Sequence, residues 1–359
     1  MKKDTINLNP AIMNEKHTRR NFIKTTASGT LGFGLISSAS MWAKAQSEEG
    51  KRIGMIGLDT SHCIAFTQEF NNTDAGPELG GYKVMAAYPK GSSDIESSYS
   101  RIPEYTKKIE ELGVKIVDSI DDLLEVVDVV MLETNDGRLH LEQALPVLNA
   151  GKTMFIDKPM TASLSDAIII FEKAKQLSVP IFSSSSLRYL ENAQLAAKGE
   201  IGNIVGASTF SPCKLEPTHP DLFWYGIHGV ETLYTVMGTG CKQVSRVHTQ
   251  GTDVVTGIWE DGRVGTFRGT RTGKGGYGGT AFGETGIMEL GPYQGYKPLL
   301  LEIVKFFQTG IVPVQAEETL EILAFMEAAD QSKRQNGSTI DLNEISYRAK
   351  TQATKELKK

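Results

Sequence analysis

Cysteine is scarce in this chain, with three residues among 359. Cys63, Cys213 and Cys241 are odd in number and lie far apart, and none belongs to a spacing that is typical of a zinc site. The sequence therefore indicates neither a disulfide framework nor a metal centre. We expect the three thiols to be buried as small apolar groups.

An excess of basic charge is also absent. The formal net charge is −5, and without residues 1–45 the chain holds 31 basic and 41 acidic residues. Such an acidic balance argues against nucleic acid as a partner. Long apolar runs are missing after residue 45, so we expect no stable membrane insertion of that part of the chain.

The N-terminal segment, in contrast, has the layout of an export signal. Arg19 and Arg20 precede an uncharged stretch, Thr25–Ala43, which is rich in Gly, Ser and Thr, and a small-residue cleavage pattern follows at Ala45. This layout predicts a twin-arginine (Tat) signal peptide over residues 1–45, with an uncleaved anchor as the alternative. The Tat machinery is then a partner, and the expected location is periplasmic.

The pattern from residue 51 to residue 186 is typical of βαβ units, because short runs rich in Val and Ile alternate with segments of helical period. We predict an α/β fold with a doubly wound parallel sheet, a Rossmann domain, over residues 46–186. The predicted strands are 52–56, 82–87, 114–117, 127–132, 153–156 and 180–182.

The alternation stops after residue 186, and residues 187–359 are predicted to form an α+β domain with a mainly antiparallel sheet. The predicted elements are strands 204–210, 243–249, 252–259 and 263–270 and helices 226–237, 297–308 and 317–334. The glycine-rich run 273–279 is predicted to be a loop. Because such a sheet needs a cover on its second face, we expect a homo-oligomer.

The segment 51–62 is predicted to lead from the first strand into a helix N-terminus, whose free N–H groups suit a pyrophosphate. Gly57 fits the first glycine of the dinucleotide fingerprint, but Asp59 and His62 stand at the second and third glycine positions. Asp59 would repel phosphate unless it turns away, for example by capping the helix at the N–H of Ser61 or His62. Thr60 and Ser61 are the other candidate cofactor residues here, and the alternative is a domain that no longer holds a dinucleotide.

The end of the second predicted strand lacks the acid that binds the adenosine ribose. Lys90 and Ser92 follow instead, which favours the 2′-phosphate of NADP over NAD. The alternative is a solvated surface loop.

Asp157-Lys158-Pro159 stands at the end of the fifth predicted strand, beside the crevice where doubly wound folds bind ligands. With the order of elements, this motif makes residues 51–345 similar to the Gfo/Idh/MocA oxidoreductases. Their Glu-Lys-Pro motif places a lysine by the nicotinamide and the reacting sugar carbon, and here Asp157 replaces the glutamate. The resemblance implies further cofactor-binding positions at Thr134, Asn135, His140 and Arg188.

The resemblance also implies a catalytic histidine at His228, followed three residues later by Glu231, whereas Trp224 replaces an aspartate that many members carry. A histidine suits the proton transfer that accompanies hydride transfer at a hydroxyl-bearing carbon, and Lys158 could share that role. The alternatives are a structural histidine, and a lysine that pairs with Asp157 or Glu231.

These features together predict a periplasmic NAD(P)-dependent oxidoreductase that acts on a carbohydrate or cyclitol. Because the periplasm has no nicotinamide pool, an exported enzyme would carry its cofactor tightly bound. A redox-assisted glycoside hydrolase or keto-sugar lyase and a non-catalytic sugar-binding protein are the alternatives.

Overall fold

The computed structural model describes residues 51–358. The Tat signal predicted over residues 1–45 lies outside the described residues. Within the described range, no helix is long and apolar enough to cross a membrane.

The first sheet has six parallel strands in the order β3-β2-β1-β4-β5-β6. The strand order reverses between β1 and β4, which creates the crevice where doubly wound folds bind ligands. The sheet confirms the predicted parallel domain. Its strands are β1 (Arg52–Ile56), β2 (Lys83–Tyr88), β3 (Lys115–Ile116), β4 (Val129–Leu132), β5 (Met154–Ile156) and β6 (Ile181–Ser183).

The helices around this sheet begin where hydroxyl caps predict them. Ser119 accepts a hydrogen bond from the backbone N–H of Asp122 at 3.0 Å, and Ser163 accepts one from Asp166 at 3.2 Å. Each cap satisfies a free N–H of a first helical turn. The helices are α1 (Ser61–Asn71), α2 (Glu96–Tyr99), α3 (Ile102–Glu111), α4 (Ile120–Val126), α5 (His140–Asn149) and α6 (Leu164–Leu177), with a short 3₁₀ turn at Pro77–Leu79.

The second sheet has seven strands in the order β12-β11-β7-β10-β9-β8-β13. The β7–β10 pair is parallel and the other pairs are antiparallel, which confirms the predicted sheet type. Its strands are β7 (Ile204–Pro212), β8 (Cys241–His248), β9 (Thr252–Trp259), β10 (Val264–Thr270), β11 (Gly278–Gly283), β12 (Ile287–Leu290) and β13 (Ile340–Asp341).

The glycine-rich run does not end as a loop, because its last two residues belong to β11. Gly279 pairs with Thr209 of β7, and a Cβ at Gly279 would lie 2.4 Å from the carbonyl oxygen of Ser208. The glycine therefore permits a close strand approach, which a loop prediction from composition overlooks.

The remaining helices cover the inner face of the second sheet and return to the first sheet. Helix α9 (Ile227–Met237) is buried over its whole length. Leu300, Ile303 and Phe306 of helix α10 (Lys297–Thr309) pack in a core with Ile53 and Met55 of β1. The predicted domain boundary at residue 186 stays a prediction. The helices are α7 (Glu191–Ala197), α8 (Asp221–Trp224), α9 (Ile227–Met237), α10 (Lys297–Thr309), α11 (Ala316–Arg334) and α12 (Leu342–Glu356), with a 3₁₀ turn at Ser186–Tyr189.

The outer face of the second sheet is open and partly apolar. Val247 of β8 and Ile287 of β12 are 68% and 71% exposed, and Ile258 and Val264 are also exposed. Their neighbours along the strands, such as Val255, face inward and are fully buried. The sheet thus has one face in the core and one face without a cover in the described residues.

Candidate active site

A cavity of about 390 Å³ opens at the carboxyl ends of β1, β4, β5 and β6. Its walls come from loops of the first sheet and from helix and loop residues of the second half of the chain. The residues that line it are Thr60, Ser61, His62, Ser97, Arg101, Asn135, Lys158, Ser186, Leu187, Lys214, Leu215, Glu216, Trp224, Tyr225, His228, Tyr277, Tyr293 and Tyr296.

Lys158 and His228, the two predicted catalytic residues, line this same cavity. Lys158 follows β5, and its Nζ lies 3.8 Å from Oδ2 of Asp157. His228 is the second residue of α9, and its Nδ1 lies 2.7 Å from Oγ of Ser185. Burial, and then the nearby Lys158 ammonium, hold the pKa of His228 well below its usual value. The imidazole is therefore neutral at pH 7, with one of its two ring nitrogens unprotonated.

The side chain of His62, in the first turn of α1, is held by Asp157. Its Nδ1 lies 2.7 Å from Oδ2 of Asp157, and its ring stacks on Phe66 and meets the edge of Tyr296. Burial by itself raises the pKa of Asp157, but His62 and Lys158 outweigh it and lower this pKa to about 2. The carboxylate is therefore ionised and orients the imidazole.

Glu133 is a functional candidate that sequence reasoning missed. It directly follows β4, is fully buried, and neither of its carboxyl oxygens has a hydrogen-bond partner among the described residues. Burial, reinforced by the charge of Asp157, raises the pKa of Glu133 well above its usual value. The available signal was an acid at the carboxyl end of a fully buried parallel strand, where ligands bind.

Gly57 forms the sharp turn after β1, with a φ of +90°. A Cβ at this position would lie 2.4 Å from Oγ1 of Thr134 and 2.5 Å from its Cα, so only glycine fits. The turn delivers the chain to α1, where the side chain of Thr60 accepts a hydrogen bond from the N–H of His62.

The prediction that Asp59 could cap helix α1 is wrong. The buried carboxylate of Asp59 accepts hydrogen bonds from the backbone N–H of Asn135 at 2.9 Å and of Ser92 at 3.1 Å. These two donors belong to loops after β4 and β2, and they draw the side chain away from the start of α1. Asp59 is also absent from the cavity lining, so its position leaves the start of α1 accessible to a phosphate.

The two residues predicted to favour NADP do not face the cavity. Lys90 is exposed with its Nζ above the ring of Tyr88, and the Oγ of buried Ser92 lies 2.9 Å from Oδ2 of Asp136. The loop after β2 folds back over Asp59, and this path could not be predicted from the strand pattern. Ser97 and Arg101, further along the chain, line the cavity instead.

Among the four cofactor positions implied by the resemblance, Thr134, Asn135, His140 and Arg188, only Asn135 lines the cavity. Thr134 and His140 are fully buried, and the two ring nitrogens of His140 face the carbonyl oxygens of Met160 and Thr134 at 2.9 and 2.6 Å. Their positions hold the β4 loop in place.

Arg188 also lies away from the cavity. Its Nε donates to Oε1 of Glu231 at 2.7 Å, and its Nη2 lies 2.7 Å from Oε1 of Glu318. This buried ion pair ties the 3₁₀ turn after β6 to helices α9 and α11. Asp157 and Glu231 were the two predicted ion-pair partners of Lys158. Glu231 pairs with Arg188 instead, and Asp157 contacts Lys158.

The residues present fit a dinucleotide at two points. The Gly57 turn leads to a helix N-terminus on the cavity wall, where Thr60 and Ser61 would hold a pyrophosphate. Lys158 and Asn135 lie on the same wall at the carboxyl ends of the next strands. These are the places that a doubly wound fold uses for such a ligand.

Comparison with known proteins agrees with this reading. Residues 51–184 match the Gfo/Idh/MocA family, described as an oxidoreductase family with an NAD-binding Rossmann fold. This part of the chain is therefore similar to the Gfo/Idh/MocA oxidoreductases. Over 162 residues the chain is 29% identical to glucose-6-phosphate 3-dehydrogenase of Bacillus subtilis, covering 43% of this chain and 40% of that protein.

A second curated relative is 1,5-anhydro-D-fructose reductase of Ensifer adhaerens, 30% identical over 109 residues, which is 29% of this chain and 32% of that protein. The chain thus matches less than half the length of these curated relatives.

Solved structures share this fold over most of the chain. A probable dehydrogenase from Thermotoga maritima superimposes with a TM-score of 0.66 at 20% identity, covering 82% of this chain and 99% of that one. The scyllo-inositol dehydrogenase of Lactobacillus casei with bound NAD(H) and scyllo-inositol gives a TM-score of 0.65 at 18% identity, covering 81% and 99%. At these identities the likeness shows the fold alone.

Proposed function

We propose that this protein is an NAD(P)-dependent oxidoreductase that acts on a CH–OH group of a carbohydrate or cyclitol. The observation that carries the proposal is the meeting of Lys158 and His228 in one cavity at the carboxyl edge of the Rossmann sheet. One residue follows β5 and the other belongs to α9, so the fold has brought a buried cation and a neutral base together.

The rest of the cavity suits a polyhydroxylated ring. Five aromatic side chains form its walls, and they offer flat apolar faces together with hydroxyl and indole N–H groups. Those residues are Trp224, Tyr225, Tyr277, Tyr293 and Tyr296. Relatives named for sugar or inositol substrates support the same substrate class.

The chain's own groups divide the chemistry between them. A bound dinucleotide supplies the hydride acceptor or donor. The Lys158 ammonium polarises the substrate oxygen, and Nε2 of His228 exchanges a proton with it. Ser185 can donate to or accept from Nδ1, so its hydroxyl holds the imidazole in either tautomer.

The cofactor is proposed to be tightly bound, and the protein to be periplasmic after Tat export. Both proposals rest on the Arg19–Arg20 signal, since an exported enzyme has no external nicotinamide pool. We also propose a homo-oligomer in which the exposed apolar residues of the second sheet, Val247 and Ile287 among them, are covered by another copy.

Native mass spectrometry of the mature protein, purified without added cofactor, tests the proposal first. Near-stoichiometric NAD or NADP is expected, followed by reduction or oxidation of a member of a sugar and cyclitol panel. The Lys158→Ala and His228→Ala variants should each lower kcat by about 10²- to 10⁴-fold. Wild-type turnover by both folded variants contradicts the catalytic assignment.

The same assay separates the two alternatives. Cleavage of a glycosidic bond without net redox change would assign a redox-assisted hydrolase or lyase. Sugar binding without turnover and without any dinucleotide would assign a binding protein.

A further inference from the structure

The carboxyl ends of β4 and β5 carry a buried polar cluster that has no part in the roles proposed for Lys158 and His228. Glu133 is fully buried with both carboxyl oxygens unpartnered, and buried Asp157 has an unpartnered Oδ1. Three acceptor oxygens without a donor in the protein interior are costly, since each lacks the hydrogen bond that it would make in water.

His62 completes the cluster. One ligand atom from each of His62, Glu133 and Asp157 lies within 4.8 Å of the other two, and all three residues are more than nine-tenths buried. An imidazole nitrogen with two carboxylates is a donor set for a first-row divalent cation. The 2.7 Å hydrogen bond between His62 and Asp157 would give way to two metal–ligand bonds of about 2.0–2.2 Å.

The charges of the cluster also favour a bound cation. Lys158 is the cation beside these acids, and it lies 3.8 Å from Oδ2 of Asp157, the oxygen that His62 also contacts. Oδ1 of Asp157 and both oxygens of Glu133 are left without a partner. A divalent ion would add positive charge beyond that of one ammonium, which would let both desolvated carboxylates be ionised.

We propose that His62, Glu133 and Asp157 form a binding site for a divalent transition-metal cation, Zn²⁺ or Mn²⁺, at the floor of the cavity. Three protein ligands leave a coordination position open, as in catalytic rather than structural metal sites. His62 lines the cavity, so the open position is reached from the substrate side. The site goes beyond the oxidoreductase proposal and does not depend on it.

Elemental analysis of mature protein purified without chelators tests this site, followed by titration of chelator-treated protein with Mn²⁺ and Co²⁺. We expect about one equivalent of metal per chain. A Co²⁺ spectrum should show d–d bands without the thiolate charge-transfer band that binding at a cysteine would produce. Bound metal should also raise the melting temperature.

Glu133→Gln keeps the shape of the side chain and removes the charged ligand, so it should lower Mn²⁺ affinity by at least tenfold. His62→Gln provides a second removal if Glu133→Gln fails to fold. Glu216→Gln, at a carboxylate on the cavity wall outside the cluster, is the matched control and should bind like the wild type.

Two results overturn the site. One is metal-free protein that takes up neither ion after chelator treatment, which would leave Glu133 as a protonated acid. The other is a folded Glu133→Gln or His62→Gln variant with wild-type affinity. Metal content and Mn²⁺ affinity are measured without dinucleotide or sugar, so the two proposals fail separately.

Discussion

Oγ of Ser185 lies 2.7 Å from Nδ1 of His228, so the imidazole meets the cavity with its other edge. Ser185 is therefore a positioning residue. Ser185→Ala should lower kcat by about tenfold with little change in KM, because the ring loses its orientation but substrate contacts remain. Ser185→Thr keeps the hydroxyl and should restore most of the activity. Equal losses in both variants would indicate a packing role instead.

The neutral state of His228 is open to direct titration. Because burial and the Lys158 charge lower its pKa, the ring should stay neutral well below pH 6.5. Lys158→Met removes one of the two causes of the low pKa and keeps the side-chain bulk, so the pKa of His228 should rise. NMR titration of the histidine Cε1–H signals measures this, with His228→Gln to assign the resonance. An unchanged pKa would show that Lys158 is electrostatically remote from the ring.

Gly57→Ala tests the turn before α1. The substitution combines a φ of +90° with a Cβ placed 2.5 Å from the Thr134 backbone. We expect a loss of about 2–4 kcal/mol in the free energy of unfolding, together with weakened dinucleotide binding. Urea denaturation and calorimetric titration measure the two effects. Gly113→Ala is the control, since its φ is +83° but no atom lies within 4 Å of the added Cβ.

Arg101 should contribute to cofactor choice. It lines the cavity after β2, whereas Lys90 does not. Arg101→Ala should weaken NADP binding by about tenfold and NAD binding less, since a guanidinium–phosphate hydrogen bond is charge-assisted. Lys90→Ala should leave both affinities unchanged. Equal weakening of the two dinucleotides would place the Arg101 contact on a phosphate that they share.

One guanidinium, that of Arg246, contacts three carboxylates: Asp330 at 2.5 Å, Asp253 at 2.7 Å and Asp221 at 2.8 Å. Burial raises the pKa of Asp330 to about 7. Burial also acts to raise the pKa of Asp221, but Lys333 and Arg246 outweigh it and lower that pKa. Arg246 and Arg271 lower the pKa of Asp253 in the same way. The folded state therefore keeps a proton that the unfolded chain releases near pH 4.

Stability should consequently fall as the pH rises from about 4 to about 7. The amide introduced by Asp330→Asn cannot ionise, so the variant should lose this pH dependence, which is worth about 3 kcal/mol in the free energy of unfolding between pH 5 and pH 8. Urea unfolding at pH 5, 6, 7 and 8 measures it. Parallel curves for wild type and variant would contradict the raised pKa.

The helices and strands that could be predicted are those whose signals lie within a few residues of the sequence. Strand runs of Val and Ile located the six strands of the first sheet and four of the seven strands of the second, and the hydroxyl caps at Ser119 and Ser163 located two helix starts, because period and capping act within a few residues. Lys158 and His228 were predicted as one site from a resemblance, and they share one cavity.

The remaining site residues depend on non-local loop paths. Arg101 reaches the cavity, and Lys90 does not, because the loop after β2 folds over Asp59. Glu133 becomes a candidate through the two residues beside it, His62 and Asp157, which are distant in sequence. Gly279 belongs to a strand because β7 passes close by, although the glycine-rich composition of segment 273–279 predicts a loop.

The return of helix α10 to the first sheet bears on protein engineering. A fragment cut at residue 186 would lose Leu300, Ile303 and Phe306, which cover Ile53 and Met55 of β1. Such a fragment would expose an apolar surface and should aggregate. The Rossmann half is not an interchangeable module here, so chimaeras that exchange cofactor specificity should carry residues 297–309 along with the first sheet.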